Sequence, residues 1–120
     1  MTDPDLKRRL LENTFLIKLR TELVIDEQEY EALCVGLVEV ARQWKDSTLV
    51  DKELAQLIYY LAPVCHNMAD SFPQREEWSS KVRDYAIHLD ALALNCFDTP
   101  TGWDELNPTR QPRTPPETGW

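Results

Sequence analysis

The chain has 120 residues, 42% of them hydrophobic, so it is long enough for one compact domain with a single core and too short for two. A formal net charge of −8 argues against non-specific binding to nucleic acid or anionic membrane, because phosphate affinity depends on Lys and Arg, and any charged partner should be basic. No run of about twenty apolar residues is present, so no transmembrane helix is predicted.

The first predicted helix begins with Asp3 as N-cap and Pro4 at the first helical position. It is expected to end near Val24. Its apolar face repeats in four-residue steps through Leu11, Phe15, Leu19 and Leu23.

The second predicted helix begins after Asp26. Glu29 follows this N-cap by three residues, which predicts an Asp variant of the capping box, and Ile25 and Tyr30 stand at the positions of a hydrophobic staple. The predicted core positions are Tyr30, Leu33, Leu37, Val40 and Trp44.

The third predicted helix begins at a cap formed by Asp51 or Thr48. Its apolar pattern continues in phase across Pro63, which predicts one kinked helix rather than two. The residues expected to be buried are Val50, Leu54, Leu57, Ile58, Leu61, Cys65, Met68 and Phe72.

The fourth predicted helix has Ser71 and Gln74 as a possible capping box and Pro73 early. Its expected core positions are Trp78, Val82, Tyr85, Leu89, Leu92 and Cys96. Four amphipathic helices with short connections predict an all-α fold, a four-helix antiparallel bundle over residues 1–97. Five of the eight prolines follow residue 97, so residues 98–120 are expected to form a Pro-rich, extended or disordered tail.

The three cysteines, Cys34, Cys65 and Cys96, fall in apolar helical contexts without a Cys-x-x-Cys pair, and we expect them to be reduced core thiols. The first residues place acids before bases and contain no uninterrupted apolar stretch. They do not resemble a secretion signal, so the cytoplasm is the expected compartment.

Patterns of catalytic residues are few. The chain contains three glycines and no phosphate-binding Gly loop, and neither histidine follows the Glu-x-x-His pattern of di-metal bundles. Asp84 and His88 lie one turn apart and are expected to form a helix-surface pair. Cys65 and His66 are adjacent, so they point about 100° apart and cannot act as nucleophile and base. We therefore expect no enzyme, no cofactor and no metal.

An acidic cluster marks the start of the second helix. It comprises six carboxylates without an intervening Lys or Arg: Glu22, Asp26, Glu27, Glu29, Glu31 and Glu39. Capping and the helix dipole explain Asp26, Glu27 and Glu29, whereas the other three have no such explanation. The cluster is either a solvated helix end or a surface for a basic partner.

A tyrosine face lies opposite the core positions of the third helix, formed by Gln56, Tyr59, Tyr60, Pro63, His66, Asn67 and Asp70. Tyr is enriched at binding hot spots, so this face is a candidate interface. Alternatively, the tail or another helix covers it.

Apolar residues also point outward on two helices: Ala32, Val35 and Val38 on the second, and Ile87, Ala91 and Leu94 on the fourth. Such two-sided helices are expected at the centre of a bundle, or covered by a partner such as a second copy.

The segments LVDKELAQLIYYLAPVCHNMADSF and HLDALALNCF resemble the all-helical immunity proteins of bacterial contact-dependent growth inhibition systems. The resemblance covers about 13–97 and involves Asp51-Lys52-Glu53-Leu54, Leu61-Ala62-Pro63, Asn67-Met68 and Asp90-Ala91-Leu92. It implies a cytoplasmic, non-catalytic inhibitor of a toxin domain delivered by a neighbouring cell, commonly a nuclease such as an RNase.

The hypothesis that follows is a stoichiometric inhibitor of a basic toxin domain that binds neither nucleic acid nor membrane directly. The alternative is an adaptor or homo-oligomeric helical protein. The predicted partner-binding residues are Asp26, Glu27, Glu29, Glu31, Tyr59, Tyr60, Pro63, His66 and Asp70.

Overall fold

A computed structural model describes residues 2–71 and 76–98. Within these ranges the chain forms helices and no strands, which confirms the predicted all-α class. The helices are α1 (Pro4–Leu11), α2 (Phe15–Glu22), α3 (Glu27–Trp44), α4 (Lys52–Ala69) and α5 (Glu76–Cys96). The predicted burial of Phe72, the predicted Gln74 cap and all of the tail except Asp98 lie outside the described residues.

The packing is that of a helical bundle with α3 and α4 at opposite corners. Helix α5 contacts both of them along one side, and α1 and α2 contact both along the other, whereas α3 and α4 make no close backbone contact. Helix α1 runs antiparallel to α3 and α5 antiparallel to α4, as shown by the hydrogen bond from the Asp3 N–H to Gln43 and the ion pair of Asp70 with Arg83. No helix in this part of the chain is long and apolar enough to cross a membrane.

The prediction of a single first helix is wrong, because the chain breaks between α1 and α2. Asn13 Oδ1 accepts a hydrogen bond from the Phe15 N–H at 3.0 Å, while its amide donates to the Glu29 carbonyl at 2.9 Å. Thr14 Oγ1 donates to the Glu29 carboxylate at 2.7 Å. These side chains offer the backbone an alternative to helical hydrogen bonds, so the helix stops and restarts.

The break changes which side chains of the first two helices enter the core. Leu6 and Leu10 are buried with Phe15 and Leu19, whereas Leu11 is exposed, contrary to the predicted four-residue pattern. Leu10 packs where α3 carries Gly36, since a Cβ there would lie 2.6 Å from Leu10 Cδ2. The glycine therefore permits the close approach of α1 to α3.

Helix α2 ends at Leu23, which adopts a left-handed conformation with φ of 53°. A Cβ makes this conformation unfavourable by roughly 1–2 kcal/mol, and burial of the half-exposed Leu23 side chain offsets little of this cost. Leu23→Gly is therefore expected to raise the free energy of unfolding by about 0.5–1 kcal/mol in urea denaturation. In the matched control, Thr21→Gly in the last turn of the same helix should lower it by a similar amount. A loss of stability in Leu23→Gly would contradict this account.

Helix α3 follows its predicted pattern closely. The Asp26 side chain accepts a hydrogen bond from the Glu29 N–H at 3.1 Å, which confirms the N-cap. The core positions of the helix are buried or half-buried as predicted: Tyr30, Leu33, Leu37, Val40 and Trp44.

Helix α4 begins after Asp51, whose carboxylate accepts from the Leu54 N–H at 3.1 Å. The helix passes through Pro63 without ending, as predicted, although the proline cannot donate a hydrogen bond to the Tyr59 carbonyl. The predicted burial of Val50 is wrong. Val50 precedes the cap and is 43% exposed, because the helical period does not extend to a residue outside the helix.

The core joins all five helices. Helices α4 and α5 meet through small or short side chains, including Ala62, Cys65 and Ala69 on α4 and Val82 and Ala86 on α5, all buried. Such residues let two helix backbones approach closely, which agrees with the close pairing of α4 and α5.

Candidate partner-binding surfaces

The acidic cluster is partly neutralised by lysines from other helices. Lys18 of α2 donates to Asp26 Oδ2 at 2.7 Å. This hydrogen bond, together with the one from the Glu29 N–H, lowers the pKa of Asp26. Asp26 therefore joins α2 to the start of α3, and its charge is not free for a partner.

The lowered pKa makes a pH-dependent contribution to stability. A carboxyl whose pKa is lower in the folded state stabilises the fold above its ordinary pKa, and loses that contribution as the pH falls through the lowered value. Asp26→Asn keeps a capping oxygen but not the charge that pairs with Lys18. At pH 7 we expect the variant to unfold at a urea midpoint lower by about 0.2–0.5 M, and we expect this difference to vanish as the solution is acidified. A difference that persists in acid would contradict the assignment.

Glu27 connects α3 to α5. Its carboxylate forms an ion pair with Lys81 and accepts a hydrogen bond from the Tyr85 hydroxyl at 3.1 Å. The bond from Lys81, followed by that from Tyr85, lowers the pKa of Glu27. This residue too has a structural role in the bundle.

Glu29 does not complete the predicted capping box. Its carboxylate accepts from Thr14 Oγ1, the Thr14 N–H and the Asn13 amide instead of returning to the Asp26 N–H. The Glu29 carboxylate bonds to these distant donors because the break between α1 and α2 places all three beside it. No cation neutralises Glu29 among these contacts.

The three remaining acids of the cluster differ from one another. Glu39 accepts from Arg42 at 2.9 Å and from Gln43 at 3.2 Å, and these bonds lower its pKa to about 2. Glu31 and Glu22 are exposed and have no ion pair within the described ranges. The cluster is therefore a mixture of structural and free carboxylates.

Both tyrosines of the tyrosine face are exposed. Tyr59 is 68% exposed and Tyr60 50%, and their ring centroids lie 5.4 Å apart at an interplanar angle of 83°. The described part of the chain therefore does not bury them. The two rings pack edge to face on an 18-residue helix.

The other predicted partner-binding residues on α4 are also exposed. Pro63 and His66 lie on the surface, and Asp70 forms an ion pair of 3.0 Å with Arg83 of α5. The charge of Asp70 is therefore compensated by Arg83.

The structure does not bring the acidic cluster and the tyrosine face together. The acids lie at the start of α3, the tyrosines lie on α4, and these helices occupy opposite corners with α5 between them. The predicted partner-binding residues thus lie on two separate surfaces.

The expectation that a central position covers the outward apolar residues is wrong for the described residues. Val35 and Val38 of α3 are 70% and 57% exposed, and Ile87 and Leu94 of α5 are exposed as well. They do not form one patch: Tyr85 stacks on α3, and Ile87 points about 200° away from it around α5.

The residues considered for catalysis do not assemble into a site. Asp84 and His88 are both exposed. The Cys65 thiol is buried and contacts the Val82 carbonyl at 3.4 Å, with burial raising its pKa to about 12, whereas His66 lies outside. Within residues 2–71 and 76–98, no group of three His, Cys, Asp or Glu side chains could hold a metal ion.

A shallow depression of ≈1130 Å³ extends over α3, from α1 on one side to α5 on the other. We name it the α3 depression. Sequence reasoning missed it because three of its lining residues belong to α1, whose separate course depends on the break. It is lined by Leu6, Arg9, Leu10, Glu12, Asn13, Gln28, Glu29, Glu31, Ala32, Cys34, Val35, Gly36, Val38, Glu39, His88 and Leu92.

No protein-family model matches the chain, and neither a curated protein nor a solved structure matches it.

Proposed function

We propose that this protein is a non-catalytic immunity protein that binds a basic bacterial toxin domain, a nuclease of the RNase class, and neutralises it. The observation that carries the proposal is the exposed pair Tyr59 and Tyr60 on α4. Two large amphipathic rings on a rigid helix supply contact area at a low entropic cost, which is the property of binding hot spots.

The charge of the chain supports the same role. A nuclease must hold phosphates and therefore presents a cationic cleft. A protein with a net charge of −8 is attracted to such a cleft, and complementary charge raises association rates to about 10⁸–10⁹ M⁻¹s⁻¹ at low salt. The resemblance to growth-inhibition immunity proteins is in accord with this chemistry.

The proposal is tested with the gene next to the one that encodes this chain. A large secreted protein with a variable C-terminal domain is expected there, and that domain should co-purify with this chain and lose its toxicity when the two are co-expressed. A toxin domain that neither binds the chain nor is neutralised by it would overturn the proposal.

Charge reversal then tests the steering. Glu31→Lys removes a free carboxylate and should slow association with the basic domain by about threefold or more at low salt, with little effect in high salt. Glu27→Lys is a poorer test, because Glu27 also holds α3 to α5 through Lys81. A matched control is Asp90→Lys, which reverses an exposed carboxylate of α5 that has no ion pair among the described residues. Equal association rates for wild type and Glu31→Lys in stopped-flow measurements would contradict the steering.

The alternative, a homo-oligomeric interaction protein, stays a prediction. The exposed Val35, Val38, Ile87 and Leu94 favour it, although they lie on two separate surfaces. Sedimentation equilibrium at high protein concentration decides it, since a monomer would exclude this alternative.

A further inference from the structure

The α3 depression is lined by both apolar and acidic residues, and none of them belongs to the tyrosine face. Its exposed floor is formed by Ala32, Val35 and Val38, which follow one another along the outward side of α3. Leu10 of α1 lies on one side of this floor and Leu92 of α5 on the other. The Val35 side chain is 70% exposed, so an apolar side chain of a partner would bury apolar surface by packing on it.

The charges around this floor are unequal at its two ends. Toward the end of α3, Arg42 neutralises Glu39, and Arg9 on α1 lies near Asp5. At the end where α3 begins, Glu12 and Glu31 line the depression and have no ion pair in the described part of the chain, whereas Glu29 accepts hydrogen bonds from Asn13 and Thr14.

We propose that the α3 depression binds a basic amphipathic helix of another protein. Its apolar residues pack on Val35 and Val38, and its Lys or Arg residues lie over Glu12 and Glu31. The distance along α3 from Glu31 to Val38 is about 10 Å, or two helical turns, so anchors at i, i+3 or i+4 and i+7 of a docked helix match the floor.

Charge selects this occupant over the others. A second copy would bring the same uncompensated carboxylates and a net charge of −8 to the surface, so like charges would oppose it. Nucleic acid is repelled for the same reason. A cationic amphipathic helix would bury its apolar residues on the floor and pair its charges with the carboxylates.

The inference rests on the proposed function only in that the occupant is part of a protein partner. It concerns contacts on α1, α3 and α5, whereas the contact residues proposed for the toxin domain are Tyr59 and Tyr60 on α4, and Glu31 enters the toxin experiment only through its charge. The test therefore uses no toxin domain, and its failure would leave the proposed function untouched.

The probe is a fluorescein-labelled peptide of about 14 residues, made of Leu and Lys at helical spacing, titrated against the full chain. A second peptide has the same composition in an order that gives no apolar face. We expect the amphipathic peptide to bind with micromolar affinity and the scrambled one at least about tenfold more weakly, since only the first can cover the floor. Equal binding of the two peptides, or none of either to the folded chain, would overturn the proposal.

Matched substitutions locate the site. Val35→Ser should weaken binding about tenfold and Glu31→Gln about threefold at low salt. Ile87→Ser and Asp90→Asn remove an exposed apolar residue and an exposed acid from another side of α5, and both should leave the affinity unchanged. Amide chemical-shift changes in the NMR spectrum should centre on residues 31–38. If the controls weaken binding as much as Val35→Ser, or if sedimentation shows that Val35 holds two copies together, the assignment is wrong.

Discussion

Replacing Phe15 with alanine is expected to lower the free energy of unfolding by about 3–5 kcal/mol. The Phe15 side chain is fully buried, and its ring centroid lies 5.1 Å from that of Tyr30 and 5.8 Å from that of Tyr85. Tyr30 and Tyr85 stack on each other at 4.0 Å. The three rings join α2, α3 and α5, so the deletion leaves a cavity where three helices meet.

Urea denaturation followed by circular dichroism measures this loss. Ile17→Ala on the same helix removes an exposed side chain and should change stability by less than about 0.5 kcal/mol. Phe15→Leu, which keeps part of the volume, should fall between the two. A Phe15→Ala variant as stable as Ile17→Ala would mean that α2 does not pack on the core as described.

Replacing Tyr59 with alanine is expected to weaken binding of the proposed toxin domain by about 30-fold or more, as for a hot-spot residue worth about 2 kcal/mol. Tyr59 is the more exposed of the two tyrosines and makes its ring contact with Tyr60 alone among the described aromatic residues. Removing it therefore takes contact area from the interface and little from the core. The loss should appear in the dissociation rate.

Two controls separate contact from folding. Gln56→Ala lies one turn earlier on α4 and should change the affinity less than about threefold. Tyr59→Phe keeps the ring and should retain most of the affinity, unless the hydroxyl binds the partner. Unfolding curves that match the wild-type curve for all three variants would establish that α4 is intact. A dissociation rate that is the same for Tyr59→Ala and wild type would remove the tyrosine face from the interface.

The two surfaces make separable contributions if the partner contacts both. Substitutions on α4 and on α3 lie far apart in the bundle and share no contacts, so their effects on binding should add. A domain whose affinity depends on Tyr59 alone would assign the α3 depression to a different protein.

The features that the sequence predicts correctly depend on interactions between residues close in sequence. The caps of α3 and α4 were correct because Asp26 and Asp51 bond to N–H groups three residues away. The apolar faces of α3, α4 and α5 were largely correct because their period reflects which side is buried. For the same reason, Cys65 was expected inside and His66 outside.

The break in the first helix and the neutralisation of the acidic stretch share one physical origin, which is a partner distant in sequence. Asn13 and Thr14 end α1 because Glu29 reaches them from another helix, and no local pattern announces that contact. Likewise, Lys18 and Lys81 neutralise Asp26 and Glu27 although no base lies within the acidic stretch.

The sequence by itself determined the all-α class, the helix caps and the buried faces of the longer helices, since each depends on residues within one or two turns. The tertiary structure alone decided that α3 and α4 occupy opposite corners, that the acids and tyrosines form separate surfaces, and that α1 borders the α3 depression. These features depend on how helices contact one another, and the periodicity of a single helix carries no information about which neighbour it will meet.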